Sequence, residues 1–125
     1  MPDNRATWQL LEDFAQCFNR HDLDGVMARM TEDCIFLSAA GPEPEGIRFE
    51  GQDAVRAAFA KVIADMPDVQ WNDPVHIIDG DRAVSAWRFT CTMPDGTKKD
   101  VDGLDVFRLR DGKIWVKSTF RKAPG

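Results

Sequence analysis

The stretch KKDVDGLDVFRLRDGKIWVKSTFR, residues 98–121, is two runs of strand formers joined at Asp111-Gly112. An Asp-Gly pair between alternating runs predicts a β-hairpin, because glycine supplies the positive φ that a tight turn demands. Side chains alternate across a strand, so Gly103, Asp105, Phe107 and Leu109 share one face, and Asp102, Leu104, Val106, Arg108 and Arg110 the other. By the same rule Trp115, Lys117, Thr119 and Arg121 fall opposite Ile114, Val116, Ser118 and Phe120. Two more runs precede the hairpin: Val69 to Ile78, broken at Pro74, and Ala83 to Thr92. Turns at Asp79-Gly80-Asp81 and Pro94-Asp95-Gly96 connect them into an antiparallel meander. Lys98-Lys99-Asp100 is a charged run of the kind that protects a sheet edge.

The first half of the chain follows a helical period instead. Trp8, Leu11, Phe14, Ala15 and Phe18 form the apolar stripe of a helix from Thr7, its N-cap, to Arg20. His21 to Gly25 is a tight connection with an acidic cap, and Val26, Met27 and Met30 mark a short second helix ending near Thr31. Cys34 to Ser38 is a short strand, followed by a loop from Gly41 that carries Glu43, Glu45, Arg48 and Glu50. A third helix opens at Gly51-Gln52-Asp53 and stops at Met66-Pro67. Helices first and an antiparallel meander second define an α+β fold in which helices cover one face of a curved sheet.

At 125 residues the chain is sized for one domain, residues 1–125. Sixteen Lys and Arg against twenty-one Asp and Glu give a net charge of -5, the wrong sign for a nucleic-acid partner. No apolar run is long enough to cross a membrane, and Met1-Pro2-Asp3-Asn4-Arg5 shows no secretory pattern, so a cytoplasmic location is expected. Cys17, Cys34 and Cys91 are odd in number and far apart, and read as buried thiols. His21 and His76 stand at no metal-ligand spacing, so no metal or other cofactor is expected. His21 reads as a capping or solvent-facing residue of the helix corner.

Three stretches, FNRHDLDG at 18–25, TEDCIF at 31–36 and DVFRLRDGKI at 105–114, together resemble the nuclear transport factor 2-like superfamily. The likeness is to its SnoaL-like polyketide cyclase and ketosteroid isomerase branch. It implies a cystatin-like α+β barrel: a bent sheet wrapped around the N-terminal helices as a cone. The cone's open end would admit an apolar small molecule, and its outer sheet face would form a homodimer.

Asp105 is the candidate catalytic residue, because a carboxylate sharing a face with Phe107 and Leu109 must be paired, hydrogen-bonded or protonated. The resemblance implies a protonated acid that donates to an oxyanion, as in ketosteroid isomerase. Lys117, if its face lines the cone, implies the opposite, an ionised Asp105, with Arg121 near the rim. In the other register both cations are ordinary surface charges. The chain departs from the isomerase pattern twice, with Phe14 in place of its oxyanion-holding tyrosine and Ser38 in place of its general-base aspartate. Phe14, Phe18, Phe36, Ser38 and His76 join Trp87, Phe89 and Phe107 as the remaining candidate ligand contacts, with core packing the competing role for the aromatics. Two functional readings follow. One is a cofactorless isomerase-, cyclase- or lyase-type enzyme moving a proton on an apolar carbonyl or cyclic metabolite. The other is a non-catalytic ligand-binding or dimeric scaffold domain.

Overall fold

The computed structural model describes residues 4–123. Three helices, α1 (Asn4–Asn19), α2 (Leu23–Ala28) and α3 (Gln52–Asp65), accompany six strands: β1 (Met30–Leu37), β2 (Arg48–Glu50), β3 (Gln70–Asp79), β4 (Arg82–Thr92), β5 (Lys98–Arg110) and β6 (Lys113–Arg121). The strands form one curved, unclosed sheet in the order β2-β1-β6-β5-β4-β3. The meander β3 to β6 is antiparallel throughout, and β1 joins it in parallel along β6. This is the α+β architecture that the order of periodicities predicts.

Local chemistry explains most boundaries. Asp22 caps α2 by accepting from the Gly25 amide at 3.0 Å. Asn19 closes α1 against β3, donating to the Trp71 carbonyl and accepting from its amide at 2.9 and 2.8 Å. His21 sits at φ 58 with Nε2 2.9 Å from the Val69 carbonyl, which ties the helix corner to the sheet.

The boundaries differ from expectation in five places. Helix α1 begins at Asn4 rather than Thr7, with Met1-Pro2-Asp3 outside the described residues. The second helix ends at Ala28, and β1 begins at Met30, because pairing of Met30 with Ile114 claims residues of helical spacing. Arg48 and Glu50 lie not in a loop but in β2, which pairs Phe49 with Phe36. Pro74 does not break β3: Asp73 adopts φ 55 in a bulge, and on an edge strand the missing proline N–H costs no ladder bond. A second bulge falls in β6, where Arg108 pairs with Val116 but Leu109 with Ile114. Trp115 is thereby extra, and alternation resets across it. Ile114 turns into the core, while the Trp115 ring lies 4.7 Å from both the Arg108 and Arg110 guanidinium carbons.

The core lies between the helices and the concave sheet face. Leu11, Phe14 and Phe18 of α1 and Val55 and Phe59 of α3 pack on Phe36, Phe89 and Phe107. Edge-to-face pairs such as Phe14 with Phe107 and Phe18 with Phe59, 5.8 and 4.9 Å apart, fix the interdigitation.

Candidate functional site

One row of side chains crosses the concave face. Strand register sets His76 opposite Ser85, Ser85 opposite Asp105 and Asp105 opposite Thr119. A polar stripe thus runs over four strands of the concave face, amid apolar side chains. Lys117, two residues before Thr119, lies beside Phe36 in the parallel β1–β6 pair.

Asp105 and Lys117 are each only 5% exposed. The Asp105 Oδ1 atom accepts from Lys117 Nζ at 2.9 Å and from Thr119 Oγ1 at 2.6 Å, and Oδ2 accepts from Trp87 Nε1 at 3.2 Å. Lys117 Nζ also donates to Thr119 Oγ1 at 2.9 Å. Three donors converging on one carboxyl group are the signature of an ionised acceptor, which favours the ion-paired reading of Asp105 over the protonated one. Gly103 makes the indole contact feasible, since a Cβ there would stand 2.5 Å from the Trp87 ring.

Burial pushes the Lys117 ammonium below the usual lysine range, against the opposing pull of Asp105. The faces of Phe36, Phe18 and Phe59 stand 5.0, 5.2 and 5.6 Å from Nζ and supply π-density to the cation. An ammonium has three N–H donors, of which Asp105 and Thr119 take two. Among the described residues none accepts the third.

A cavity of about 650 Å³ opens beside this group. Its wall is apolar: Phe18, Phe36, Phe49, Phe59, Val62 and Trp71 line it, with Lys117, Thr119 and Arg121 as polar features on the β6 side. Arg121 is exposed at the mouth, its guanidinium carbon 4.3 Å above the Phe89 ring. The loop after β1 closes one side through Ala39, Ala40 and Ile47. Ser38 latches that loop, donating to the Ala40 carbonyl at 2.7 Å and accepting from the Ile47 amide at 2.9 Å.

Of the candidate residues, Phe18, Phe36, Ser38, Lys117 and Arg121 come together at the cavity. Asp105 stands behind Lys117, where it lines, with Phe14, Trp87 and Phe107, a separate void of about 20 Å³. Phe89 is core beneath Arg121. His76 is outside the cavity, its side chain fully buried between Ser85 Oγ, 2.7 Å from Nδ1, and Glu12 Oε1, 2.9 Å from Nε2. Hydrogen bonds from Gln16 and His76 hold the Glu12 carboxyl below the usual glutamate range.

Thr119, Ser85 and Glu12 complete the network without having been singled out as site residues. Thr119 carried a signal, since it alternates with Lys117 on one face. Glu12 carried none, because its approach to His76 spans 64 residues. Cys17, Cys34 and Cys91 are free and buried, and burial pushes the Cys34 and Cys91 thiols up, away from nucleophilic use. No described helix is long and apolar enough to cross a membrane, and no cluster of three metal-ligating side chains occurs among the described residues.

Solved structures repeat this architecture. A candidate polyketide cyclase from Xanthomonas campestris superposes with a TM-score of 0.83 at 22% identity, covering 95% of this chain and 91% of its own. TerC, co-crystallised with polyporic acid, gives 0.79 at 20% identity and covers 94% and 92%. A nuclear transport factor 2-like (NTF2-like) protein of unknown function from Mesorhizobium loti gives 0.75 at 28% identity and covers 98% of both chains. No curated protein matches the chain in sequence. The sequence pattern of the SnoaL-like domain matches residues 11–117, nearly the whole length of the fold just described, and the chain belongs to the SnoaL-like domain family of the nuclear transport factor 2-like superfamily.

Proposed function

We propose that the cavity binds an apolar cyclic or aromatic molecule through a carbonyl or enolic oxygen, and that the protein is a cofactor-independent isomerase-, cyclase- or lyase-type enzyme acting by proton transfer. The observation that carries this reading is Lys117 itself, which lines an apolar chamber of about 650 Å³ and has one N–H donor with no acceptor among the described residues. A ligand oxygen placed there gains a charge-assisted hydrogen bond without displacing one. As negative charge grows on that oxygen, the buried ammonium stabilises it in a site of low dielectric and can pass it a proton. Burial has already made that ammonium a stronger acid.

Asp105 acts in this scheme as the positioning residue that holds Lys117 protonated and aimed. Arg121 at the mouth is suited to a second oxygen of the ligand. Phe14 and Ser38 offer neither a phenol nor a carboxylate, so the steroid-isomerase reaction is not the one proposed. The co-crystallised ligand of TerC supports small-molecule binding in this fold. Three free cysteines agree with a reducing, cytoplasmic setting. The outer sheet face, with Val75, Ile77 and Phe120 exposed by 61%, 63% and 54%, suits a second copy of the chain, as the family resemblance implies.

The test uses a panel of cyclic 1,3-diketones, lactones and phenols against the wild type and Lys117→Met. Enolic and phenolic members are expected to raise the wild-type melting temperature and leave the variant unmoved. In deuterated water the wild type is expected to accelerate exchange of the diketone α-protons, seen by NMR. Equal stabilisation of both proteins refutes the role of Lys117, and binding without exchange identifies a non-catalytic binder. Light scattering of the wild type and Ile77→Asp checks the dimer.

A further inference from the structure

Lys117 is not the one cation of the chamber. The lining also holds Lys61, Asp65 and Arg121 as charged side chains. Lys61 Nζ is 2.8 Å from Asp65 Oδ2, and Lys117 Nζ is 2.9 Å from Asp105 Oδ1 behind it, so each of these two cations has its counter-charge. Arg121 has none: among the described residues it makes no ion pair and no hydrogen bond. Asp73 and Asp102 border a second groove with it, yet neither pairs with it, and Asp102 lies 3.5 Å from Arg88 instead. In a chain of net charge -5, the chamber therefore keeps one positive charge uncompensated.

We propose that Arg121 is a carboxylate-binding residue, and that the ligand is a cyclic or aromatic acid whose anionic group docks at the mouth while its carbonyl or enolic oxygen meets Lys117. The inference rests on the proposed contact of Lys117 with a ligand oxygen, and adds to it the charge and shape of the ligand.

The guanidinium is placed for this role. Its carbon stands 4.3 Å above the ring of Phe89, which is 1% exposed, so its planar face is taken by a fixed core ring. The N–H groups lie along the edge of that plane, in the fork that matches the two oxygens of a carboxylate. Exposed ion pairs are weak in part because two mobile side chains must be ordered. Stacking on Phe89 restrains one partner here, and a ring seated in the chamber restrains the other.

Spacing sets the shape. Past its bulge β6 pairs regularly with β5 from Val116 to Arg121, so Lys117 and Arg121 share a face with Cα atoms about 13 Å apart at the rise of a strand. Their anchors are separated likewise: Asp105 holds Lys117, whereas Phe89 pairs with Val101, four residues away along β5. A molecule that reaches both cations carries its polar groups at opposite ends of an apolar body, for which Phe36, Phe59, Val62 and Trp71 supply the wall.

Isothermal titration calorimetry with 6-hydroxy-2-naphthoic acid and 2-naphthol, one ring system with and without the carboxylate, tests this in the wild type, Arg121→Gln and Lys117→Met. The wild type is expected to bind the acid at least about tenfold tighter than the naphthol, with added salt narrowing the gap. Arg121→Gln is expected to bind both compounds equally and to keep its naphthol affinity within about twofold of wild type, which also shows that it is folded. Lys117→Met is expected to weaken both compounds. A wild type that does not prefer the acid, a preference that survives in Arg121→Gln, or equal weakening of both compounds there overturns the role of Arg121. If the preference disappears in Arg121→Gln while Lys117→Met binds both compounds like the wild type, the Arg121 site stands and the reading of Lys117 fails. Binding of neither compound to the folded wild type overturns both.

Discussion

Replacing Asp105 by Asn isolates the buried charge, since the amide keeps the carboxylate's shape and loses its sign. At the observed 2.9 Å separation of Lys117 Nζ from Asp105 Oδ1, and with an effective dielectric constant near 20, the attraction is about 6 kcal/mol. Desolvating each ion costs several kcal/mol, so the intact pair adds little net stability. The single substitution is another matter: the attraction goes, and the desolvation of Lys117 stays. Removing one partner of such a pair typically costs about 3–5 kcal/mol. With the amide oxygen toward Lys117 and Thr119 those contacts survive, while the Trp87 N–H faces the amide NH2 and loses its acceptor, which puts Asp105→Asn at about 3 kcal/mol or more. For a domain of this size that is a fall in melting temperature of about 12 °C. Urea unfolding at pH 7 measures it, alongside Lys117→Met and the double variant. The double variant is expected to be about 2 kcal/mol or more less destabilised than the sum of the singles, because the second change removes the orphaned charge. Additivity within about 0.5 kcal/mol, or a loss below about 1 kcal/mol for Asp105→Asn, would refute the ion-pair reasoning.

Gly46→Ala is expected to cost more than about 2 kcal/mol in urea unfolding, because Gly46 has φ 83 and a Cβ there would stand 2.0 Å from the Ser38 carbonyl oxygen. A melting curve like wild type would show that the loop after β1 can shift freely. Gly103→Ala is expected to displace the Trp87 indole, changing tryptophan fluorescence and weakening the enol-type ligands of the panel. An unaltered spectrum would place the ring elsewhere. Stability is also expected to fall in acid. Glu12, Asp33, Asp68 and Asp95 all titrate below their ordinary values of 4.5 for Glu and 3.8 for Asp, chiefly through hydrogen bonds to Gln16, Thr31, Thr92 and the Thr97 amide respectively. The unfolded chain therefore binds more protons in that window, so the stabilisation is whole above those values and is lost as pH falls through the lower folded ones. Urea midpoints between pH 6 and pH 2.5 check this, and a flat profile contradicts it.

The meander was legible because its turns are chemically explicit: Asp111-Gly112 and Gly80 mark reversals that few other residues permit. The inward face of β5 was legible too, since Asp105, Phe107 and Leu109 alternate without interruption from Gly103. The edges were not. Strand β2 has three residues, Arg48-Phe49-Glu50, and exists because β1 offers it a free edge, which no local pattern announces. Unbroken alternation also sets Trp115 on the face of Lys117 and Ile114 on the other, and the bulge reverses both. Two arginines flanking the Trp115 ring and a buried socket for Ile114 decide that local register, and both are tertiary facts. The site divided along the same line. That Lys117 and Thr119 share a face could be read from strand alternation, whereas their meeting with Asp105 and the ring faces around the ammonium, from α1, α3 and β1, are tertiary.

The bulge has a chemical outcome as well as a topological one. Without the extra residue, Ile114 and Lys117 would point to opposite faces, and either the core would lose its fully buried Ile114 or the chamber would lose its cation. Inserting Trp115 satisfies both demands, and the Arg108 and Arg110 stacking covers the ring that the insertion exposes. Buried ion pairs are seldom better than well-packed apolar residues for stability alone. A strand whose bulge turns Lys117 inward, among three aromatic rings and beside a chamber of about 650 Å³, is what the proposed contact between the ammonium and a ligand requires, and fold stability alone gives it no reason.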